Sequence, residues 1–223
     1  MRRSKKAQKE KMAQVVALLK ERYPDAECAL TWGGDDPWRL LVMGRLSAQC
    51  TDKRVNLVCE DLFARFPTAE DMAAADLSEV EEIIKPCGLF RAKAKDLVES
   101  SKMLIDRHSG ALPSDMESLL AFPGVGRKIA NLLLGDIFHQ PAIVTDTHCI
   151  RICGRLGFYP EIEKTPHKIE KILVEITAPE ESSAFCHRIV WFGREICDAR
   201  SPKCGECPMA QAGVCDHAAG KNK

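Results

Sequence analysis

The sequence predicts an all-α protein. Apolar residues recur every three or four positions through most of the chain. Helix-capping residues, Pro and Gly separate those stretches. No convincing run alternates apolar with polar residues, as a half-buried strand would. There is no internal repeat and no low-complexity stretch.

The elements follow in order. Met12, Val15, Val16, Leu18 and Leu19 form a helical stripe over residues 12–22. Asp36 followed by Pro37 reads as an N-cap with Pro at the first helical position. Thr51 caps the next helix, whose Val55, Val58, Cys59, Leu62, Phe63 and Phe66 make the cleanest stripe in the chain. Ser78 with Glu81 and Ser114 with Glu117 have capping-box spacing. Between them a helix over 91–108 turns Leu97, Val98, Ser101, Leu104 and Ile105 inward and stops at Gly110. A short helix reaches Phe122 and breaks at Pro123-Gly124, and another runs from Arg127 to Phe138. Asp146 stands as N-cap before a helix through Ile150, Cys153 and Leu156. Thr165-Pro166 opens a further helix, and Pro179 opens the last long one, to Glu195. The tail beyond Asp216 is expected to fray.

Hydrophobic residues make up 45% of the 223 positions, enough for one large domain or two small ones, and exclude a disordered chain. No segment is long and apolar enough to span a membrane, and no apolar core follows the basic N-terminus, so the chain is expected inside the cell. Formal net charge is zero, which argues mildly against a nucleic-acid binder, but charge is unevenly spread. Residues 1–11 are basic, which leaves room for a basic face, with a solvated tail as the bland alternative; residues 68–82 are acidic and expected to form a solvated helix face. Eleven cysteines in such a chain suggest metal ligation more than disulfides.

Phe122-Pro123-Gly124-Val125-Gly126-Arg127-Lys128 lies between two helices. The glycines permit a sharp turn and the approach of a large ligand, and the free amides of the second helix suit a phosphate. An ordinary tight turn between helices is the competing interpretation. The stretch LAFPGVGRKIA, Leu120 to Ala130, resembles the helix-hairpin-helix of the endonuclease III family of DNA glycosylases. The likeness continues in Leu46-Ser47-Ala48-Gln49-Cys50-Thr51-Asp52, in Gly88-Leu89-Phe90 with Lys93-Ala94, in Val144-Thr145-Asp146-Thr147-His148 and in the C-terminal cysteines. It covers roughly residues 12–215 in the family's order.

That resemblance implies two helical domains with a DNA cleft between them: a six-helix barrel over 30–140 carrying the hairpin, and a cluster domain joining 1–29 to 141–223. It implies a catalytic Lys128, whose neutral amine would attack the sugar C1′, and a catalytic Asp146, which would activate that nucleophile and stabilise positive charge on the sugar. By themselves, Lys128 reads as a solvated lysine or a phosphate contact, and Asp146 as a helix cap. Gln49 and Leu89 match positions that fill the gap left by a flipped base; a core leucine is the alternative for Leu89. Gly124, Val125, Gly126 and Arg127 would meet the DNA backbone, as would Arg200 and Lys203 from the cysteine loop. His148 is expected to be structural in part. Three departures stand out. Arg45 interrupts an apolar stretch and would face DNA or a carboxylate. Leu120 stands where some relatives carry an acid, and Thr145 replaces an apolar residue.

Cys197, Cys204, Cys207 and Cys215 give C-x6-C-x2-C-x7-C, a metal-binding loop suited to zinc or to an iron–sulfur cluster. The resemblance implies a [4Fe–4S] cluster, although the family's last gap is two residues shorter. The other seven cysteines have no pattern. The activity implied is a bifunctional DNA glycosylase and AP lyase removing oxidised pyrimidines of the thymine glycol type. It would act as a monomer on damaged double-stranded DNA, without nucleotide cofactor or membrane contact, in the cytoplasm of a bacterial-type cell at the nucleoid. The rivals are a glycosylase with another base preference, a non-catalytic DNA-binding iron–sulfur protein and a zinc-bound helical module.

Overall fold

The structure is a computed structural model that describes residues 4–34 and 36–220. Among the described residues there are helices and turns but no strand. None of these helices is long and apolar enough to cross a membrane. The chain divides into two compact units: Cys28–Phe138, and Met1–Glu27 together with His139–Lys223. The first boundary falls two residues before the expected 30, the second two before 140.

Among its described residues the central unit has seven α-helices: α2 (Pro37–Leu46), α3 (Asp52–Arg65), α4 (Ala69–Ala73), α5 (Leu77–Ile84), α6 (Phe90–His108), α7 (Met116–Leu120) and α8 (Arg127–Asp136). The seventh arises because the acidic stretch holds two short helices. Thr68 and Asp71 close a capping box on α4, and Asp76 caps α5 by accepting from the Ser78 amide. Ser78 is therefore not the cap, and neither is Ser114, since Asp115 accepts from the Ser118 amide ahead of α7. In both places an aspartate one or two residues away competes better, because a carboxylate is stabilised by the helix dipole as well as by the hydrogen bond. Asp36 and Thr51 cap α2 and α3 as expected. The core is the inward stripe of each helix, with Leu40, Val55, Leu62, Met72, Val80, Ile84, Leu104 and Leu133 fully buried; each such side chain stabilises the fold by about 1.5–3 kcal/mol. Ser101 is buried because it accepts the indole N–H of Trp38 at 3.0 Å.

The other unit contains α1 (Lys5–Arg22), α9 (Thr147–Leu156), α10 (Pro166–Ile176), α11 (Ser182–Glu195) and α12 (Pro208–Gln211). Met12, Val15, Leu19, Ile152, Ile169, Leu173, Phe185 and Phe192 meet in one cluster. The described part of the basic segment, residues 4–11, is helical rather than a solvated tail: Ser4 caps α1, which begins at Lys5, and Lys11 is buried. Its Lys and Gln residues are good helix formers without an apolar signal. The expected fraying beyond Asp216 is absent from the described residues 217–220, where the His217 amide donates to Arg155 O at 2.9 Å and His217 Nδ1 lies 3.0 Å from a Glu161 carboxylate oxygen; residues 221–223 lie outside the described ones. Pro179 opens only a 3-10 turn before α11 begins at Ser182.

Candidate functional site

The hairpin between α7 and α8 is held from three sides. The Val125 amide donates to Phe122 O at 3.1 Å, Ser100 Oγ donates to Pro123 O at 3.1 Å, and Phe122 stacks on His108 with centroids 5.3 Å apart. Gly124 has φ +73°, and a Cβ there would lie 2.2 Å from Arg45 Nε and 2.5 Å from Asp96 Oδ2. Only glycine fits. Arg45 faces a carboxylate: both Nε and Nη2 lie 2.6 Å from Asp96 Oδ2, under the turn. Gly126 differs from Gly124. Its φ of −97° is ordinary, and a Cβ there would meet nothing within 4 Å. Its bareness serves the open face, where the first amides of α8 have no intrahelical acceptor. Val125 turns its side chain into the core, so it adds little to that face. Lys128 is exposed on the first turn of α8, with Ala130, Leu133 and Leu134 facing inward.

Gln49 and Leu89 share an unusual feature. Both are non-glycine residues in the left-handed region, at φ 54° and 48°, a conformation that costs energy and concentrates at functional sites. Leu89 is 58% exposed, so the core interpretation of this leucine is wrong. Gln49 is exposed as well. Beneath them Lys93 is 0% exposed and donates to Leu46 O at 2.9 Å and Cys87 O at 2.8 Å. One buried ammonium thus ties the segment carrying Gln49 to the segment carrying Leu89. Burial lowers its pKa, opposed by the nearby Cys87 and Cys50 thiols.

In the other unit, Asp146 Oδ1 accepts the Cys149 amide at 2.7 Å and so caps α9. Its second oxygen is left for other work. His148 Nδ1 lies 3.1 Å from Arg151 Nη2, and a Cβ on Gly193 would fall 2.3 Å from the same nitrogen. His148 therefore packs α9 onto α11, the structural role expected of it.

Cys197, Cys204, Cys207 and Cys215 line one pocket. The longer last gap is taken up by α12 and the turn after it, where Gly213 adopts φ +69° and the Val214 amide donates to Met209 O at 3.0 Å. Arg155 enters from α9, donating to Cys197 Sγ at 3.3 Å, Asp198 O at 2.6 Å and Ala199 O at 2.9 Å. Arg151 donates to Cys197 O at 3.2 and 3.0 Å. Burial pushes the Cys207 and Cys215 thiols up, and neighbouring thiols add to it. Four cysteines lining one pocket beside a guanidinium fit a metal group held by thiolates, whose negative charge Arg155 would offset. Asp198 accepts the Arg200 and Ser201 amides at 2.8 and 3.1 Å, which hold its carboxyl below the usual range and fix a turn that leaves Arg200 and Lys203 exposed.

Sequence reasoning missed Arg151, Arg155, Lys11 and Asp216, and named Lys93 only as part of a motif, without its bracing role. The two arginines, one turn apart on α9, carried a readable signal, since a helix with buried neighbours does not place charge at that spacing without partners. Lys11 and Asp216 carried none: they pair at 3.2 Å from opposite ends of the chain.

Known proteins agree with this geometry. Residues 42–179 match the family described as HhH-GPD superfamily base excision DNA repair protein, and residues 197–211 match the iron-sulfur binding domain of endonuclease III. The latter decides between iron–sulfur and zinc, and it stops short of Cys215. Endonuclease III of Bacillus subtilis is 41% identical over 85% of each chain, and that of Synechocystis sp. is 40% identical over 92% of each. A solved non-covalent endonuclease III–DNA complex superposes with a TM-score of 0.87 at 38% identity, covering 96% of this chain and 97% of the other. A trapped endonuclease III–DNA covalent intermediate gives the same score and identity, covering 96% and 99%. A thermostable thymine-DNA glycosylase, at 21% identity and TM-score 0.85 over 95% and 98%, shares the fold. With motifs, fold and relatives in agreement, the chain belongs to the endonuclease III family of the HhH-GPD superfamily and is an iron–sulfur DNA glycosylase of base excision repair.

Proposed function

We propose that the protein is a bifunctional DNA glycosylase and AP lyase that removes oxidised pyrimidines of the thymine glycol type from duplex DNA. Lys128 is the nucleophile. Its neutral Nζ attacks C1′ of the flipped nucleotide, the N-glycosidic bond breaks, and the base leaves with the bonding pair and a proton. The resulting imine acidifies C2′; loss of that proton expels the 3′ phosphate and nicks the strand by β-elimination. Asp146, whose Oδ1 is committed to the Cys149 amide, offers its other oxygen to take the ammonium proton and to stabilise the cationic sugar. Exposed Gln49 and Leu89 enter the space the base leaves. The first amides of α8, with Gly126 and Arg127, receive a backbone phosphate, and Arg200 and Lys203 receive another.

Cys197, Cys204, Cys207 and Cys215 hold a [4Fe–4S] cluster, which shapes the loop that presents Arg200 and Lys203. Damaged double-stranded DNA is the only partner needed, and the enzyme acts as a monomer at the bacterial nucleoid. The observation that carries this proposal is an exposed lysine on the first turn behind a Gly-Val-Gly hairpin, in a chain 38% identical to an endonuclease III trapped covalently on DNA.

Borohydride trapping on a duplex carrying one thymine glycol tests it, with wild type and Lys128→Ala side by side. A covalent band from wild type alone is expected. A band on an abasic site but none on thymine glycol overturns the base preference. No band on either, from cluster-loaded protein, overturns the lyase.

A further inference from the structure

Two cysteines outside the cluster sit next to the two DNA-inserting residues. Cys50 follows Gln49, and Cys87 stands two residues before Leu89. Cys50 is among the groups that act on the Cys87 thiol. The backbones that carry them are drawn together by Lys93, which donates to Leu46 O and Cys87 O at 2.9 and 2.8 Å. Cys50 is half-buried, whereas Cys87 is 2% exposed. We propose that Cys50 and Cys87 are a redox-sensitive thiol pair, whose disulfide joins the two segments that enter DNA and weakens duplex binding. The proposal rests on Gln49 and Leu89 being the inserting residues.

The reactant is a low-molecular-weight disulfide. The accessible Cys50 thiolate attacks one of its sulfurs and releases a first small thiol. The Cys87 thiolate then attacks the Cys50 sulfur and releases the second. Two protein thiols are oxidised, one small disulfide is reduced, and both protons leave with the products. Burial pushes the Cys87 thiol up to about 11, while Lys93 and Arg54 pull the other way, so exchange at Cys87 is the slow step. A disulfide fixes its two Cα atoms about 5.5–6 Å apart, so closing it draws the segments carrying Gln49 and Leu89 out of register with the gap they fill. The hydrogen-bonded pair Cys149 and Cys153 provides an internal contrast. It lies on one helix with both thiols buried and is closed to a small oxidant.

The test exposes cluster-loaded protein to glutathione disulfide, blocks free thiols with iodoacetamide and digests with trypsin without reduction. Mass spectrometry should find residues 46–53 joined to residues 66–91. Oxidised protein should bind an abasic-site duplex at least tenfold more weakly and recover with dithiothreitol; Cys50→Ser and, independently, Cys87→Ser should lose this response. Glutathione retained on Cys50 without a bridge, a bridge to Cys59 instead, or a bridged protein that binds as before overturns the proposal. Leu89→Ala in the reduced protein separates the underlying assumption: wild-type duplex binding there refutes insertion, whatever the state of the thiols.

Discussion

Replacing Gly124 by alanine tests how the hairpin is built. Two costs apply. At φ +73° an L side chain costs about 1–2 kcal/mol. The new Cβ would also occupy space 2.2 Å from Arg45 Nε and 2.5 Å from Asp96 Oδ2, so the ion pair must move. Losing a hydrogen bond between charged groups costs about 1.5–3 kcal/mol, and this pair is largely shielded, at 14% and 21% side-chain exposure. Together these give roughly 2.5–5 kcal/mol, or a fall in Tm of roughly 5–20 °C at about 2–4 °C per kcal/mol for a chain of this size. Circular dichroism at a fixed scan rate measures it. Gly126→Ala is the control, since its φ is ordinary and its Cβ meets nothing; it should melt within about 2 °C of wild type, because surface changes cost about 0.5 kcal/mol or less, yet bind duplex more weakly. Combining Gly124→Ala with Asp96→Ala should recover the steric part and leave the backbone part, so the two changes should be non-additive. A Gly124→Ala protein that melts with wild type would refute both the strain and the ion-pair argument.

Three further outcomes follow from the same geometry. Asp146→Ala should lose about 1 kcal/mol of stability with its cap and abolish borohydride trapping, whereas Asp146→Asn should keep the melting temperature and still fail to trap; a trapping Asp146→Asn protein would remove the carboxylate from the chemistry. Leu89→Ala, at a site 58% exposed, should leave stability within about 0.5 kcal/mol while weakening binding to duplex and sparing strand cleavage at a single-stranded abasic site. Gly157→Ala would place a Cβ 2.0 Å from Asp216 Oδ2 at φ +84°, and should yield protein with reduced iron content and visible absorbance per chain.

Legibility in the sequence followed the range of the forces involved. Caps and stripes are local, so Asp36, Thr51 and Asp146 could be found from neighbours alone, and α3 from its spacing. The capping errors at Ser78 and Ser114 were local too: spacing identified the turn, but not which of two adjacent polar residues would win it. Polar helix was invisible, which is why the first turns of α1 were missed. Long-range polar contacts were out of reach. Arg45 could be seen as anomalous, but its partner Asp96 lies 51 residues away, and nothing in the spacing pairs Lys11 with Asp216. For the site, the residues bearing chemistry were legible because motifs are short, while the residues that hold them in place were not.

The cysteine loop shows what that unread layer does. A gap longer by two residues would be expected to let the last cysteine wander, since nothing in seven intervening residues fixes its position. Instead Cys215 is located by residues outside the loop. The His217 amide, two residues beyond it, donates to Arg155 O at 2.9 Å. Asp216, between them, pairs with Lys11 at 3.2 Å and packs against Gly157. Lys11 Nζ in turn donates to Leu156 O at the end of α9. The C-terminus of α9 is thus the anchor for the fourth cysteine, and Arg155 on the same helix reaches the first. The N-cap of that helix is Asp146. One helix of ten residues therefore carries the proposed catalytic carboxylate at one end and fixes both ends of the cysteine loop at the other. Loss of the cluster should then be felt at Asp146 through the seating of α9. Lys11→Met separates the two: it removes the anchor without touching a cysteine, and should lower cluster retention and trapping together.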